Sequence, residues 1–311
     1  MESIRISRDS VGVRNSTWWN LTRKLIPYAY LSPTLLLLIV LSLIPVITVF
    51  LYSLVDNVII TKKPPSFVGL SNYITILSDS HFREALGNTF VFSGASVVAH
   101  LILGLSFALL LNTRLIGIVP RALFRVIYIL PWVFTASIIA ILWRLLLNPN
   151  GVVNYLWVVL GLPGKGLEWL SSRQLALPAV IFINIWAGYP FYMVSYLAGL
   201  QGIPHDLYEA GKIDGANNVQ LFRFITLPQL KPIIISLVML DFIWTTQQFT
   251  LIWMTTGGGP VRATEMLSTF TYKLAFGSYE FSQASTTAVI ILAISTFVAV
   301  FYVRNQRLAN E

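Results

Sequence analysis

Asp241 lies roughly ten residues into the apolar run Pro232–Met254, where an ionised carboxylate costs on the order of 3 kcal/mol on membrane-insertion scales. It therefore needs a partner or a water-lined neighbour, and a structural tie to another span or subunit competes evenly with a place on a solute pathway. One to two turns onward Trp244, Thr245, Thr246, Gln247, Gln248 and Thr250 form a polar stretch bounded by Trp253. Polar side chains in lipid face protein or a cavity, so this segment is expected to line a pathway. Gln supplies neutral donors and acceptors for hydroxyl groups, and Trp supplies a flat apolar face. Asn184, Trp186, Tyr189 and Tyr192 in the preceding apolar run offer the same chemistry. Hydrogen bonding between subunits is the competing reading for each of them.

Bond-making chemistry finds little support. His81 and Glu84 lack a nucleophile signature, and no metal-ligand spacing occurs. With no cysteine and three scattered histidines, neither a thiolate metal site nor a disulfide framework is expected. His100, in the middle of an apolar run, is taken as a packing histidine and given no role. Gly164-Lys165 lacks the upstream glycine and the hydroxyl residue of a phosphate-cradling loop, so no nucleotide-binding loop is expected in this chain.

The elements that carry these residues follow from composition. Apolar residues make up 56% and charged residues 11%, which places the chain in a bilayer. Runs of about 20 apolar residues cross a hydrocarbon core of about 30 Å. Six are present: Tyr28–Leu54, Asn88–Leu111, Ala122–Leu146, Leu175–Leu200, Pro232–Met254 and Thr286–Val303. Each is expected to be a helix, because a lone segment in lipid must satisfy its own backbone. The fold class is all-α, a six-helix integral membrane protein. Expected divisions are a cytoplasmic segment 1–27, a membrane domain 28–303 with a cytoplasmic loop 203–228 between the fourth and fifth helices, and a tail 304–311.

Lys and Arg divide thirteen to eight between the two sides, with the excess on the side of Arg23, Lys24, Arg121, Lys212 and Arg304. The positive-inside rule then puts both termini in the cytoplasm. The net charge of +8 is thereby explained by topology, and nucleic acid is not an expected partner.

The loop after the fourth run contains Asp206 with Glu209, and Asn217 with Gln220, two capping-box-like starts that predict two short helices. Gly211 and Gly215 are expected to stop the first and turn the chain. Leu207, Ala210 and Ile213 recur at helical spacing, giving a greasy face that packs either on the chain's own bundle or on another protein.

Glu209-Ala210-Gly211, Gly215, Ile225, Leu227 and Pro228 match in spacing a signature of Glu-Ala-Ala, three residues, Gly, nine residues, Ile-x-Leu-Pro. On these residues the chain resembles the membrane subunits of binding-protein-dependent ABC importers, specifically the sugar-type permeases of the maltose and glycerol-phosphate kind. Gly211 departs from the usual Ala and should loosen its helix by roughly 1 kcal/mol. Asn88-Thr89-Phe90, Leu130-Pro131, Ile141-Leu142-Trp143-Arg144, Asn148-Pro149 and Thr256-Gly257-Gly258-Gly259-Pro260 also look like recurrent segments of that family, the last pointing to the first of two permeases. The resemblance implies an importer in the bacterial inner membrane, built from this chain, a second permease, two ATP-binding subunits and an extracytoplasmic solute-binding protein. It implies that Glu209, Ala210, Gly211 and Gly215 form a coupling helix and its turn against the ATPase. It also places amide side chains at Gln247 and Gln248, which makes that pair the foremost solute contacts, with Trp244, Asp241, Asn184, Tyr189, Tyr192 and Trp253 around them. A gradient-driven transporter would instead carry several paired intramembrane charges and inverted repeats, and a membrane enzyme a catalytic cluster. Neither accounts for the elbow signature.

Overall fold

The computed structural model describes residues 16–56, 58, 64–113, 117–163 and 166–310. Most of the expected N-terminal segment, together with Lys62, Lys63, Arg114, Lys165 and Glu311, lies outside them. The regular secondary structure of the described residues is helical apart from a two-residue antiparallel pairing in which Val55 faces Phe67 and Asp56 faces Ser66. It divides into two units, Met1–Leu51 and Tyr52–Glu311.

In the first unit a helix starts at Ser16, inside the segment expected to precede the membrane, and its apolar stretch opens the span Ile26–Ser53. A wide turn at Ile39–Leu43, in which the Ile44 N–H reaches the Ile39 carbonyl five residues back, comes immediately before Pro45. Proline has no N–H, and a turn of this kind lets the helix continue past it.

Four further helices of spanning length are Ser80–Asn112, Ala176–Gln201, Asn218–Thr246 and Phe281–Arg304. Asp79 caps the first of these by accepting from the His81 N–H at 2.8 Å.

The expected third span is not one helix. Val119–Val133 and Ala136–Leu146 meet at 99°, with Phe134 and Thr135 extended between them. Pro131 offers no N–H to the turn before it, and Thr135 starts a new helix as its cap.

The fifth span also departs from expectation. It begins at Asn218, fourteen residues before the apolar run, and stops at Thr246; Gln247–Phe249 break it before a short helix Thr250–Thr255. Asn217 and Gln220 form the expected capping box, at 3.0 and 2.8 Å. A second wide turn, Phe222–Thr226, precedes Pro228, so the second elbow helix runs without a break into the membrane span.

The second and fourth spans form the centre of the second unit, and small residues set their closeness. A Cβ on Gly104 would lie 2.3 Å from Tyr192 Cβ, and one on Gly188 would lie 2.4 Å from the His100 ring. Close approach at small residues, with van der Waals contact in place of a hydrophobic drive, is how helices associate in lipid. From this pair Tyr196 and Leu200 pack with Leu230 toward the elbow, and Phe92 and Ile183 pack with Ile139 and Ile252 toward the other end.

Candidate functional site

Asp241 is buried, and both of its carboxyl oxygens are hydrogen-bonded. Its Oδ2 lies 2.8 Å from His100 Nδ1 and accepts from the Tyr192 hydroxyl at 3.0 Å, while Oδ1 accepts from Thr245 Oγ1 at 2.9 Å. The other ring nitrogen of His100, Nε2, lies 3.0 Å from the Asn184 main-chain carbonyl. Three spans thus meet at one carboxylate. His100, given no role on sequence grounds, is its partner; the signal was available, since among the three histidines it alone falls within a spanning run and faces the same need for compensation as Asp241.

Beside this network lies a cavity of about 280 Å³. Asp241, Asn184, Trp244 and Gln248 line it, joined by His100, Thr245 and by Trp132 from the broken third span. The break at residues 134–135 matters here, because it turns the chain so that Trp132 and Ala136 both reach the same space. No Lys, Arg or Glu is among the lining residues.

Four of the eight pathway candidates therefore come together: Asp241, Asn184, Trp244 and Gln248. The structure separates the two glutamines, because the helix ends at Thr246 and they lie in the irregular turn that follows. Gln247 is exposed and donates to Ser295 Oγ on the sixth span at 3.1 Å, away from the cavity. Tyr192 is fully buried behind Asp241. Tyr189 packs on Phe107 and donates to the Tyr128 carbonyl at 3.2 Å. Trp253 joins an aromatic group with Phe249 and Tyr272.

The loop between the fourth and fifth spans folds as a helix, His205–Ile213, followed by a turn. Asp206 makes no capping bond; Pro204 occupies the cap position. Gly211 does not stop this helix but sits inside it, where a Cβ would meet Leu221 Cδ2 at 2.7 Å and Ile225 Cδ1 at 3.2 Å. The stop falls at Asp214, and Gly215 makes the turn with φ +82°, a conformation that costs other L-residues about 1–2 kcal/mol. Tyr208 and Gly211 form the face that packs on the foot of the fifth span, with the Tyr208 hydroxyl 2.9 Å from Thr226 Oγ1. The greasy stripe points the other way: Leu207, Ala210 and Ile213 are exposed, Ile213 to 86%. Glu209 is exposed beside them.

A third organised region surrounds Thr256-Gly257-Gly258-Gly259-Pro260. Gly257 and Gly258 take positive φ, and the Gly259–Pro260 bond is cis. Buried Glu265 pairs with Lys273 Nζ at 2.6 Å, and Thr264 Oγ1 donates to the Gly259 carbonyl at 2.6 Å.

Helices of spanning length, a short-helix elbow with an exposed apolar stripe, and a polar cavity at the meeting of four spans are features of a membrane permease. The chain belongs to the family of binding-protein-dependent transport system inner membrane components, whose model matches residues 100–309, and it is thus a permease subunit of an ABC transporter, with a transport rather than a catalytic role. It is similar to the trehalose/maltose transport system permease of Thermococcus litoralis, 37% identical over 89% of this chain and 94% of that protein. It is also similar to the sulfoquinovosyl glycerol transport system permease of Agrobacterium fabrum, 31% identical over 94% of this chain and 93% of that one. A chain of a bacterial ABC transporter involved in alginate import shares the fold, with a TM-score of 0.81 at 24% identity over 96% of this chain and 100% of that chain.

Proposed function

We propose that this chain is the first of two different permeases in a sugar importer, both termini in the cytoplasm, working by alternating access. The observation that carries the reading is the mechanical line from elbow to cavity. The exposed stripe Leu207, Ala210 and Ile213 sits on a helix whose other face is fixed to the foot of the fifth span, and that same span delivers Asp241, Trp244 and Thr245 to the cavity wall. From Asn218 to Asp241 an unbroken helix covers roughly 35 Å at a rise of about 1.5 Å per residue. A displacement at the elbow is therefore transmitted rigidly to the cavity.

In this mechanism Glu209 and Ala210 dock on an ATPase subunit, Gly211 holds their helix against the foot of the fifth span, and Gly215 sets the turn. Two such subunits bind ATP and Mg and close; the elbow follows, the cavity opens outward, and a binding protein seated on the outer loops releases solute into it. Hydrolysis returns the pathway to the inward-facing state. Similarity to the Thermococcus litoralis permease over nearly the whole chain supports a sugar as the cargo. Trp132 and Trp244 offer apolar faces, while Gln248, Asn184 and Thr245 offer neutral hydrogen-bonding groups suited to hydroxyls.

The test is solute-stimulated ATP hydrolysis by the reconstituted complex with its binding protein, across a panel of sugars. Glu209→Ala should lower stimulation without changing which sugar stimulates, whereas Gln248→Ala should change the order of sugars. If transport follows an ion gradient and no ATPase co-purifies, the reading fails.

A further inference from the structure

The hydrogen-bond geometry around His100 fixes how many protons the buried site holds. Nε2 faces the main-chain carbonyl of Asn184 at 3.0 Å, and a carbonyl only accepts, so Nε2 carries a hydrogen. Nδ1 faces Asp241 Oδ2 at 2.8 Å. Two bare acceptors at that distance would repel, so one proton must lie between them. It makes either an imidazolium beside a carboxylate or an imidazole beside a carboxylic acid. Both arrangements have the same sum: zero net charge.

We propose that His100 and Asp241 hold one proton between them as a net-neutral unit, and that this unit makes the cavity selective for uncharged polyhydroxylated solutes. The selectivity rests on the reading of the cavity as the solute site. Tyr192 is the other titratable group hydrogen-bonded to the pair, and its hydroxyl donates to Asp241. No Lys or Arg lines the cavity to receive a carboxylate, sulfonate or phosphate, and any charge on the His100 ring is matched by Asp241. The hydrogen-bonding capacity left over is neutral. A carboxyl group offers about four acceptor sites, of which His100, Tyr192 and Thr245 occupy three. The Asn184 side chain, 6% exposed, lines the same cavity, and its Nδ2 has no partner among the described residues. The other polar side chains in the lining, Asn184, Thr245 and Gln248, are uncharged amides and a hydroxyl, which suit a hydroxyl that both donates and accepts. An anionic solute would find an acceptor where it needs a donor.

Two measurements on the purified complex with its ATPase and binding protein test this. The first needs no solute: thermal midpoints of the wild type, H100N, D241N and H100N/D241N at one pH. H100N leaves the buried carboxylate, and D241N the buried imidazole, without the partner that shares its proton, so each single variant should lose stability and the double variant should recover part of the summed loss. A double variant whose loss equals the sum of the two single losses would overturn the shared-proton unit.

The second measurement is equilibrium dialysis of paired probes, neutral mono- and disaccharides against their uronate counterparts. The wild type should favour the neutral member of the tightest pair by at least about tenfold. A uronate bound as tightly would overturn the selectivity while leaving the import reading intact. Stimulation of ATP hydrolysis by no probe, neutral or charged, would instead overturn the import reading. Should the single variants fail to assemble, the wild-type ratio and the double variant decide the matter.

Discussion

The Asn88 side-chain amide donates to the main-chain carbonyl of Arg262 at 3.2 Å, joining residues 174 positions apart. Its second N–H goes to the Glu265 carbonyl, also at 3.2 Å, and the neighbouring Thr89 hydroxyl accepts from the Leu267 N–H at 2.9 Å. One short segment near the start of the second span thus satisfies the backbone of the loop that follows Gly257–Pro260.

Asn88→Ala leaves two carbonyls without these donors and should cost the complex about 1–3 kcal/mol. Asn88→Asp should cost more, because it sets carboxylate oxygens against carbonyl oxygens. Thermal unfolding gives the order, and hydrogen exchange should show faster exchange at Leu267 in both variants. Equal stability of Asn88→Asp and wild type would refute the arrangement.

Gly188→Ala places a methyl group 2.4 Å from the His100 ring. Overpacking of this kind typically costs about 1–3 kcal/mol. Because the ring must shift, the contact to Asp241 should be disturbed along with the helix spacing. Loss of stability in Gly188→Ala that is largely absent when the same change is made in His100→Ala would show that the clash is with this ring.

Gly215→Ala should destabilise the elbow by about 1–2 kcal/mol, since its φ of +82° is strained for a residue with a Cβ. Asn, which tolerates that region better, should fall between Gly and Ala. The measurement is sugar-stimulated ATP hydrolysis, where the order Gly, Asn, Ala is expected. An unaffected Gly215→Ala would show that the turn does not hold the elbow.

Asn154 ties together the segment after the broken third span. It donates to the carbonyls of Asn148 at 3.1 Å and Leu167 at 2.9 Å and accepts from Trp169 Nε1 at 3.2 Å. Asn154→Ala should cost about 2–3 kcal/mol through the unpaired groups it leaves, and Trp169→Phe only about 1 kcal/mol. Thermal midpoints of the two variants check the difference.

Gly211 shows how far sequence reasoning reaches. Its helix and its place in the signature are visible from spacing alone, but the expectation that it ends the helix is wrong. What decides is the proximity of Leu221 and Ile225, which makes Gly211 a point of close contact instead of a stop. Leu207, Ala210 and Ile213 likewise define one apolar stripe in the sequence, while its exposure follows only from the packing of Tyr208 and Gly211 on the fifth span.

Run length and composition by themselves determined that this protein spans a membrane, because a segment in lipid must close its own backbone hydrogen bonds. Local spacing determined the elbow and the Asn217–Gln220 cap, since both are contacts between residues a few positions apart. The tertiary structure decided where the third and fifth spans break, which glutamine reaches the cavity, and that His100 meets Asp241 across 141 residues. Those outcomes depend on which side chains meet after the helices pack, and periodicity along one helix carries no record of its neighbours.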